Sequence, residues 1–386
     1  MAVDMYLPAF PAIARDLGVS EDHIQFSLMA FFAGLMLGQL FYGPLSDRFG
    51  RKPLVYFGLV AFAVASLGCV FAADARQLTI LRFVQGVGGS IGMVISLAIV
   101  RDLYTGKKAA RLLSLVVLVL GAAPVVAPLL GSMVISVSPW RMVFVILALF
   151  GMLLLGLTLL FLPETRSADL RAISRPTDSL RQYGRLLVNG QYIPFVLAVS
   201  IAQAGFFAYL SASAPAFITV FGLSPFAFSL VFATNAIGMM AAARMTPYLM
   251  DRFRAQKIVR VALLIYLAAA LILLVMTLMD QLSVVSFAVI LFVVVATLGC
   301  VMPLSSVLAM EHVGPVAGTA AALLGAFQFG TGALASGITA ALSKGSVLPM
   351  VGCIAVCGLV STLIAFKAFP QDRLQEDRLQ SSDPGA

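Results

Sequence analysis

The strongest constraint on this chain is a charged turn that occurs twice, each time between long apolar runs. "GPLSDRFGRKPL" at Gly43–Leu54 has a worn copy, "PYLMDRFRAQKI", at Pro247–Ile258. Leu45, Asp47, Arg48 and Phe49 return as Leu249, Asp251, Arg252 and Phe253, 204 positions later. Apolar runs of about 20 residues, each long enough to cross a bilayer as a helix, follow one another along the chain. The runs are continuous and do not alternate with period two, which points to helices and away from a barrel. One turn at the same place in two hydrophobic halves implies a duplicated, parallel bundle, an architecture of secondary transporters.

The composition agrees. Only 11% of the residues are charged, where a soluble domain carries about a quarter. The net charge of +8 comes from short basic clusters between spans, so it reads as an orientation signal and not as a nucleic-acid surface. Cys69, Cys300, Cys353 and Cys357 all fall inside apolar runs and read as small packing residues. His23 and His312 lie far apart beside different spans, so no metal site is expected. No cleavable signal peptide precedes the first run.

The expected spans cover 1–14, 25–46, 53–73, 78–100, 112–135, 141–162, 191–218, 227–249, 258–279, 284–308, 315–342 and 346–368. The fold class is therefore all-α integral membrane, with about twelve transmembrane helices in two pseudo-symmetric six-helix bundles. The N-terminal bundle takes 1–162, a linker 163–190, the C-terminal bundle 191–369 and a polar tail 370–386. The linker is expected to form a surface helix with Leu180, Tyr183, Leu186 and Leu187 on one side. The first span is short: about 14 residues reach only about 21 Å as a helix, against a hydrocarbon core of about 30 Å. The chain is thus expected to start partway along that span. Most Lys and Arg lie in the turns after spans 2, 4, 6 and 8, in the linker and in the tail. Those segments, and the C-terminus, are expected on the cytoplasmic side of a cell membrane.

Three elements carry a family resemblance. "GPLSDRFGRKPL" resembles the signature after span 2 of the major facilitator superfamily. "LRFVQGVGGS" at Leu81–Ser90 and "GAAPVVAPLLG" at Gly121–Gly131 resemble the span-4 and span-5 motifs of its drug/proton antiporters. With "DMYLPAFPAIARDLGVS", "AIVRDLY", "PWRMVF" and "AGTAAALLGAFQ", the set resembles the Bcr/CflA group of multidrug efflux transporters. The resemblance spans nearly the whole chain. It departs in the missing part of span 1 and in the second signature, which has Arg254 where the first has Gly50.

The residues also have a reading of their own. In the turn, Gly43 is expected to admit a close helix, Asp47 to bond free backbone N–H groups or a cytoplasmic Arg, and Gly50 to make the bend. Arg48, Arg51 and Lys52 hold the turn at the inner surface, and ion pairs across the two halves would form a breakable gate; the simpler role is a topology-setting loop. Arg82, inside span 4, costs at least about 2.5–3.5 kcal/mol unless it faces the bundle interior with a partner or snorkels outward. Gln85 and Gly86 give it a small, polar face. The resemblance assigns Arg82 a role in proton transfer. Asp4 is the main acid within an N-terminal span, and a carboxylate that alternates between charged and neutral is what proton coupling requires. Alternatively it caps an interfacial helix. Asp280 and Glu311 read as boundary residues. Gly121, Pro124, Pro128 and Gly131 describe a bent helix packed on the opposite half. Tyr6, Gln203, Phe206, Tyr209, Asn235 and Gln328 are candidates for a substrate cavity, or for helix packing.

The expected function is proton-coupled efflux of drugs or other small amphipathic molecules by alternating access, without a cofactor and as a monomer. No "GxxxxGK[ST]" loop is present to bind a nucleotide, and no nucleophile–base arrangement points to an enzyme. The alternatives are a narrow-specificity exporter of a metabolite such as an amino acid or nucleoside, and a non-transporting scaffold or receptor.

Overall fold

The computed structural model describes residues 1–104, 106–174, 176–311 and 313–369; the expected tail 370–386 lies outside the described residues. Among these the structure is helical throughout, with no strand. The order is α1 (Phe10–Asp16), α2 (Glu21–Phe49), α3 (Arg51–Val70), α4 (Ala75–Leu103), α5 (Gly106–Val137), α6 (Arg141–Phe161), α7 (Ala168–Ile173), α8 (Pro176–Leu187), α9 (Ile193–Ala214), α10 (Pro225–Met250), α11 (Ala255–Leu278), α12 (Val284–Met310), α13 (Ala317–Ser343) and α14 (Leu348–Ala368). Eleven of the described helices are long and apolar enough to cross a membrane.

The expected first span, 1–14, is the exception. It is a 3₁₀ turn at Leu7–Ala9 followed by the seven-residue α1, and Met1–Tyr6 is turn and not helix. Pro8 and Pro11 each remove a backbone donor, which is tolerated only in the first turn of a helix. They therefore set two short starts where the apolar pattern alone gave one span.

Local chemistry sets the other ends. Asp74 caps α4 by accepting from the Gln77 N–H at 2.8 Å, and Ser224 caps α10 the same way at 3.1 Å. Ser283 and Ser286 form a reciprocal capping box at the start of α12. Between α2 and α3 the chain reverses through one residue, Gly50, at φ +101°, a value only glycine adopts without strain. The later copy spends residues 251–254 between α10 and α11, so Arg254 sits there at φ −66°. No residue of that longer link has a positive φ, so a side chain is accommodated at 254. α3 begins at Arg51 and α11 at Ala255, the same 204-residue offset as the repeated turn.

Packing divides the helices into two groups. α2 and α3 both pack on α4, and α10 and α11 both pack on α12. The groups meet where α2 lies against α13 and α5 against α10. Glycines decide how near the helices come. Gly34 rests on the backbone of Phe83, Gly86 on the carbonyl of Phe31, and Gly299 on the carbonyl of Met239, with no room for a Cβ at any of them. Close approach of this kind replaces the hydrophobic drive that helices lack inside lipid.

The linker forms the expected surface helix, α8, and covers only part of its apolar side. Tyr183 and Leu186 are buried, but Leu180 and Leu187 are 62% and 48% exposed. Its contact face is rotated towards Gln182, because α8 is held by hydrogen bonds: the Tyr183 hydroxyl donates to Leu40 O at 3.0 Å, and Thr319 of α13 donates to Gln182 Oε1 at 2.7 Å.

The α2–α4 contact gives a test of glycine packing. Gly86→Ala should destabilise the protein by about 1–3 kcal/mol through overpacking, read as a lower melting temperature in detergent. Gly92→Ala on the same helix faces open space and should be neutral or slightly stabilising.

Candidate functional site

Arg82 sits two turns into α4 and is fully buried, so it does not snorkel. Its Nη1 donates to Ala2 O at 3.1 Å and to Gln85 Oε1. Gln85 passes the polarity on, donating to Ser66 Oγ at 2.6 Å, and Ser66 donates to Phe62 O. The guanidinium lies over three rings: Phe31 at 4.2 Å, Tyr6 at 4.5 Å and Phe144 at 5.9 Å. Cation–π contacts in a desolvated place are worth about 2 kcal/mol each, which offsets part of the cost of burial. Arg82 Nε and Nη2 have no hydrogen-bond partner among the described residues.

Asp4 lies on the same N-terminal turn as Ala2. Its carboxylate takes the Met1 ammonium at 3.1 Å, and its side chain is 13% exposed. Asp4 and Arg82 are thus joined through the Ala2 carbonyl, not by a direct ion pair. Tyr6, expected on a cavity wall, belongs instead to this closed cluster, with its hydroxyl 2.7 Å from Ser27 Oγ.

The charged turn forms a clasp. Arg51 bonds Asp47 at 2.9 Å, Asp102 on α4 at 3.0 Å and Ser46 Oγ at 2.5 Å. Arg166 approaches Asp47 at 3.7 Å, and Arg48 donates to the carbonyls of Arg171 and Ala172 at 3.1 and 2.9 Å. Lys52 places its ammonium 5.6 Å from the Tyr56 ring. The expected bonds to free backbone N–H groups are made by Glu164, not by Asp47. Its Oε1 accepts from Arg51 N at 2.9 Å and Arg166 N at 3.0 Å, and its Oε2 from Lys52 N at 3.2 Å. A carboxylate at the N-terminus of α3 also meets the positive end of the helix dipole. Partial burial works against its ionisation, but these backbone donors prevail and hold the Glu164 carboxyl below the usual range.

Two expectations about this turn are corrected. Its ion pairs lie within the first group of helices and the linker, not across the two halves. Gly43 admits no close helix; the space over it is open, and it lines a cavity. Glu164 and Asp102 were not singled out from sequence, although both stand in short motifs at span ends, "PETR" and "VRDLY".

That cavity, of about 640 Å³, lies between the two groups at the end that carries the clasp. Gly43, Asp47, Asp102, Gln182, Thr319 and Gln328 supply polar or open wall, and Leu97, Leu324 and Phe329 supply apolar wall. Of the six expected cavity residues only Gln328 lines it. Asn235 Nδ2 donates to the Tyr209 hydroxyl at 2.9 Å, and Tyr209 stacks on Phe232 and touches Phe206, with ring centroids 5.9 and 6.0 Å apart. Gln203 is buried with its Oε1 unpartnered among the described residues.

At the other end the halves line a second cavity, of about 600 Å³, and are linked beside it. Thr219 Oγ1 donates to Glu21 Oε1 at 2.6 Å. Ser229 of α10 donates to the carbonyl of Pro128 in α5 at 3.0 Å. The α5 motif lies along this contact: Gly121 faces Met240 of α10, and Gly131 rests on the backbone of Met5. Pro124 and Pro128 sit inside an unbroken helix. Beside it, Trp140 Nε1 donates to Asp16 at 3.0 Å, and Arg141 bonds Asp16 and the carbonyls of Val70 and Ala72. The Arg141 hydrogen bond, then that of Trp140, holds the Asp16 carboxyl below its ordinary range.

The clasp yields a stability test. Glu164→Ala should cost about 0.5–2 kcal/mol, the scale of a lost helix cap. Because the folded-state value is depressed, this contribution is complete above the unfolded value near 4.3 and is lost as pH falls through the lower folded value. The difference between wild type and variant in thermal unfolding should therefore be present at neutral pH and shrink below about pH 4.

Known proteins resemble this arrangement along most of its length. A sequence profile described as Major Facilitator Superfamily matches residues 1–337. A bicyclomycin resistance protein homolog of Haemophilus influenzae is 30% identical over 361 residues, 94% of this chain and 90% of that protein. The multidrug resistance protein MdtL of Klebsiella pneumoniae is 28% identical over 380 residues, 97% and 94% of the two chains. The crystal structure of a D-xylose–proton symporter superposes with a TM-score of 0.76 at 16% identity, covering 96% of this chain and 94% of that one; at that identity the likeness is one of fold. A multi-pass helical membrane protein with these relatives and this packing belongs to the Major Facilitator Superfamily.

Proposed function

We propose that this protein exports drugs or other small amphipathic organic molecules across the cytoplasmic membrane in exchange for protons. The observation that carries the reading is a cavity of about 640 Å³ between the halves at the basic end, walled by both. A second cavity, of about 600 Å³, lies between the halves at the other end, where Thr219 of one half donates to Glu21 of the other. Cavities at both ends of a seam between two parallel halves suit alternating access, with the basic end towards the side where basic turns belong. Two relatives named for bicyclomycin and multidrug resistance support a drug-type cargo. A wall that mixes Leu97, Leu324 and Phe329 with Gln328, Gln182 and Thr319 suits amphipathic molecules better than a narrow, fully polar metabolite site.

In this reading the cell's proton gradient is the driving force, no cofactor is needed, the working unit is a monomer, and the C-terminus is cytoplasmic. Asp4 carries the proton. Arg82, two of whose nitrogens have no hydrogen-bond partner among the described residues, senses whether a carboxylate nearby is charged.

The reading is tested in everted vesicles with a fluorescent drug. Asp4→Asn keeps the size of the side chain but cannot exchange a proton. It should abolish drug-induced proton release while drug binding remains. Arg82→Lys keeps the charge but loses the planar fork, and should slow export about tenfold or more, the worth of one charge-assisted hydrogen bond. If Asp4→Asn still moves drug uphill on a pH difference alone, Asp4 is not the carrier, and Glu311, exposed at the end of α12, is next to be tested. Uncoupled or absent drug flux in the wild type would remove the reading itself.

A further inference from the structure

The second group of helices carries an apolar groove on its outer surface, away from the transport cavity. α10 and α11 each pack along α12 but touch each other little beyond their connecting turn. The gap between them is a groove of about 450 Å³. Leu249 on α10 and Val261 and Ile265 on α11 form its walls; Phe292 and Ala296 on α12 form its floor. It offers nothing to a polar ligand along its length. The Thr297 hydroxyl is used by Val294 O at 2.7 Å, and the Cys300 thiol bonds Ala242 O. The tight α10–α12 contact at Gly299 closes its inner side, and no residue of the transport cavity lines it.

Charge enters at one end only. Lys257 is the one charged residue among the described residues that line the groove. Its ammonium stands 5.2 Å from the Phe253 ring, and the same turn carries exposed Asp251, Arg252 and Arg254, so this end of the groove is net positive. Tyr248, 75% exposed on α10 beside this turn, marks the level of the membrane interface. An occupant must therefore be a long apolar chain that ends in an anion at the height of the lipid headgroups. We infer that the α10–α11–α12 groove binds one acyl chain of an anionic phospholipid, with the phosphate on Lys257.

The experiment uses the full chain in nanodiscs. A phosphatidylglycerol carrying a photoactivatable acyl chain is compared with a phosphatidylcholine carrying the same chain, and cross-links are mapped by mass spectrometry. Wild type should label α11 and α12 around Val261, Ile265 and Ala296, with phosphatidylglycerol preferred. Lys257→Gln should reduce that preference about fivefold, the effect of one lysine at a membrane surface. Lys344→Gln, in the turn between α13 and α14, should leave it unchanged. Ala296→Phe fills the floor and should remove labelling by both lipids; should that variant fail to fold, Lys257→Gln still decides. Equal labelling by the two lipids, an unchanged preference in Lys257→Gln, or labels scattered around the whole perimeter would each overturn the site.

Discussion

Helices inside a bilayer gain nothing from hiding apolar surface from one another, since lipid is as apolar as they are; what holds them is how closely they pack. In this protein glycine sets that closeness, and it does so in two ways. At some contacts within a group glycines meet backbone, as Gly34 and Gly86 at α2–α4, Gly88 at α3–α4 and Gly299 at α10–α12; at others they meet side chains, as Gly58 with Ile91 and Gly332 with Phe207. Between the groups, glycines meet the ends of flexible side chains. Gly337 and Gly330 of α13 receive the sulfurs of Met29 and Met36 of α2, Gly325 receives Gln39, and Gly121 of α5 receives Met240. The seven-residue step from Met29 to Met36 matches the step from Gly337 to Gly330. Backbone contact cannot adjust without moving a helix, whereas methionine repacks easily. The backbone contacts thus fall within the groups and the methionine contacts at the seam, so the seam repacks more readily than α2–α4 or α10–α12.

The repeated turn has a related asymmetry. In the first copy Gly50 reverses the chain in one residue, and Glu164, from beyond α6, caps the helix that follows. There is no space for a side chain between Gly50 and that carboxylate. Arg51 then gathers Asp47, Asp102 and Ser46 around itself. The clasp ties α2, α3, α4 and the linker into one unit, and α8 extends it to α13 through Gln182 and Thr319. Contact between the halves at this end passes in part through the linker, so it can loosen without breaking either bundle.

Hydropathy made most of this fold legible. The expected spans 53–73, 258–279 and 284–308 are α3, α11 and α12 to within a few residues. A hydropathy run states that a helix is buried in lipid or protein, not which face meets which neighbour. That is why the apolar side of α8 does not tell which of its residues are covered, and why Tyr6, Tyr209 and Asn235 stood between a cavity and helix packing; they satisfy one another or Ser27 in the packed interior. Arg82 was legible because its cost inside a membrane demands partners. Glu164 was not, because its partners stand 113 and 112 residues away and are backbone N–H groups, which leave no mark on the sequence.

Arg82 shows how the two kinds of information combine in the proposed cycle. A guanidinium offers five donors in a fixed fork. Here Nη1 is engaged, and Nε and Nη2 have no hydrogen-bond acceptor among the described residues. A fully bonded arginine would lock this part of the bundle, while a half-bonded one is held at some cost and gains whenever an acceptor arrives. The turn that already gives it the Ala2 carbonyl carries Asp4 two residues on. The N-terminal turn also supports Gly131 of α5 through Met5, and α5 is the helix that bonds α10 across the halves. The turn that carries Asp4 is therefore linked to the seam through two steps of contact.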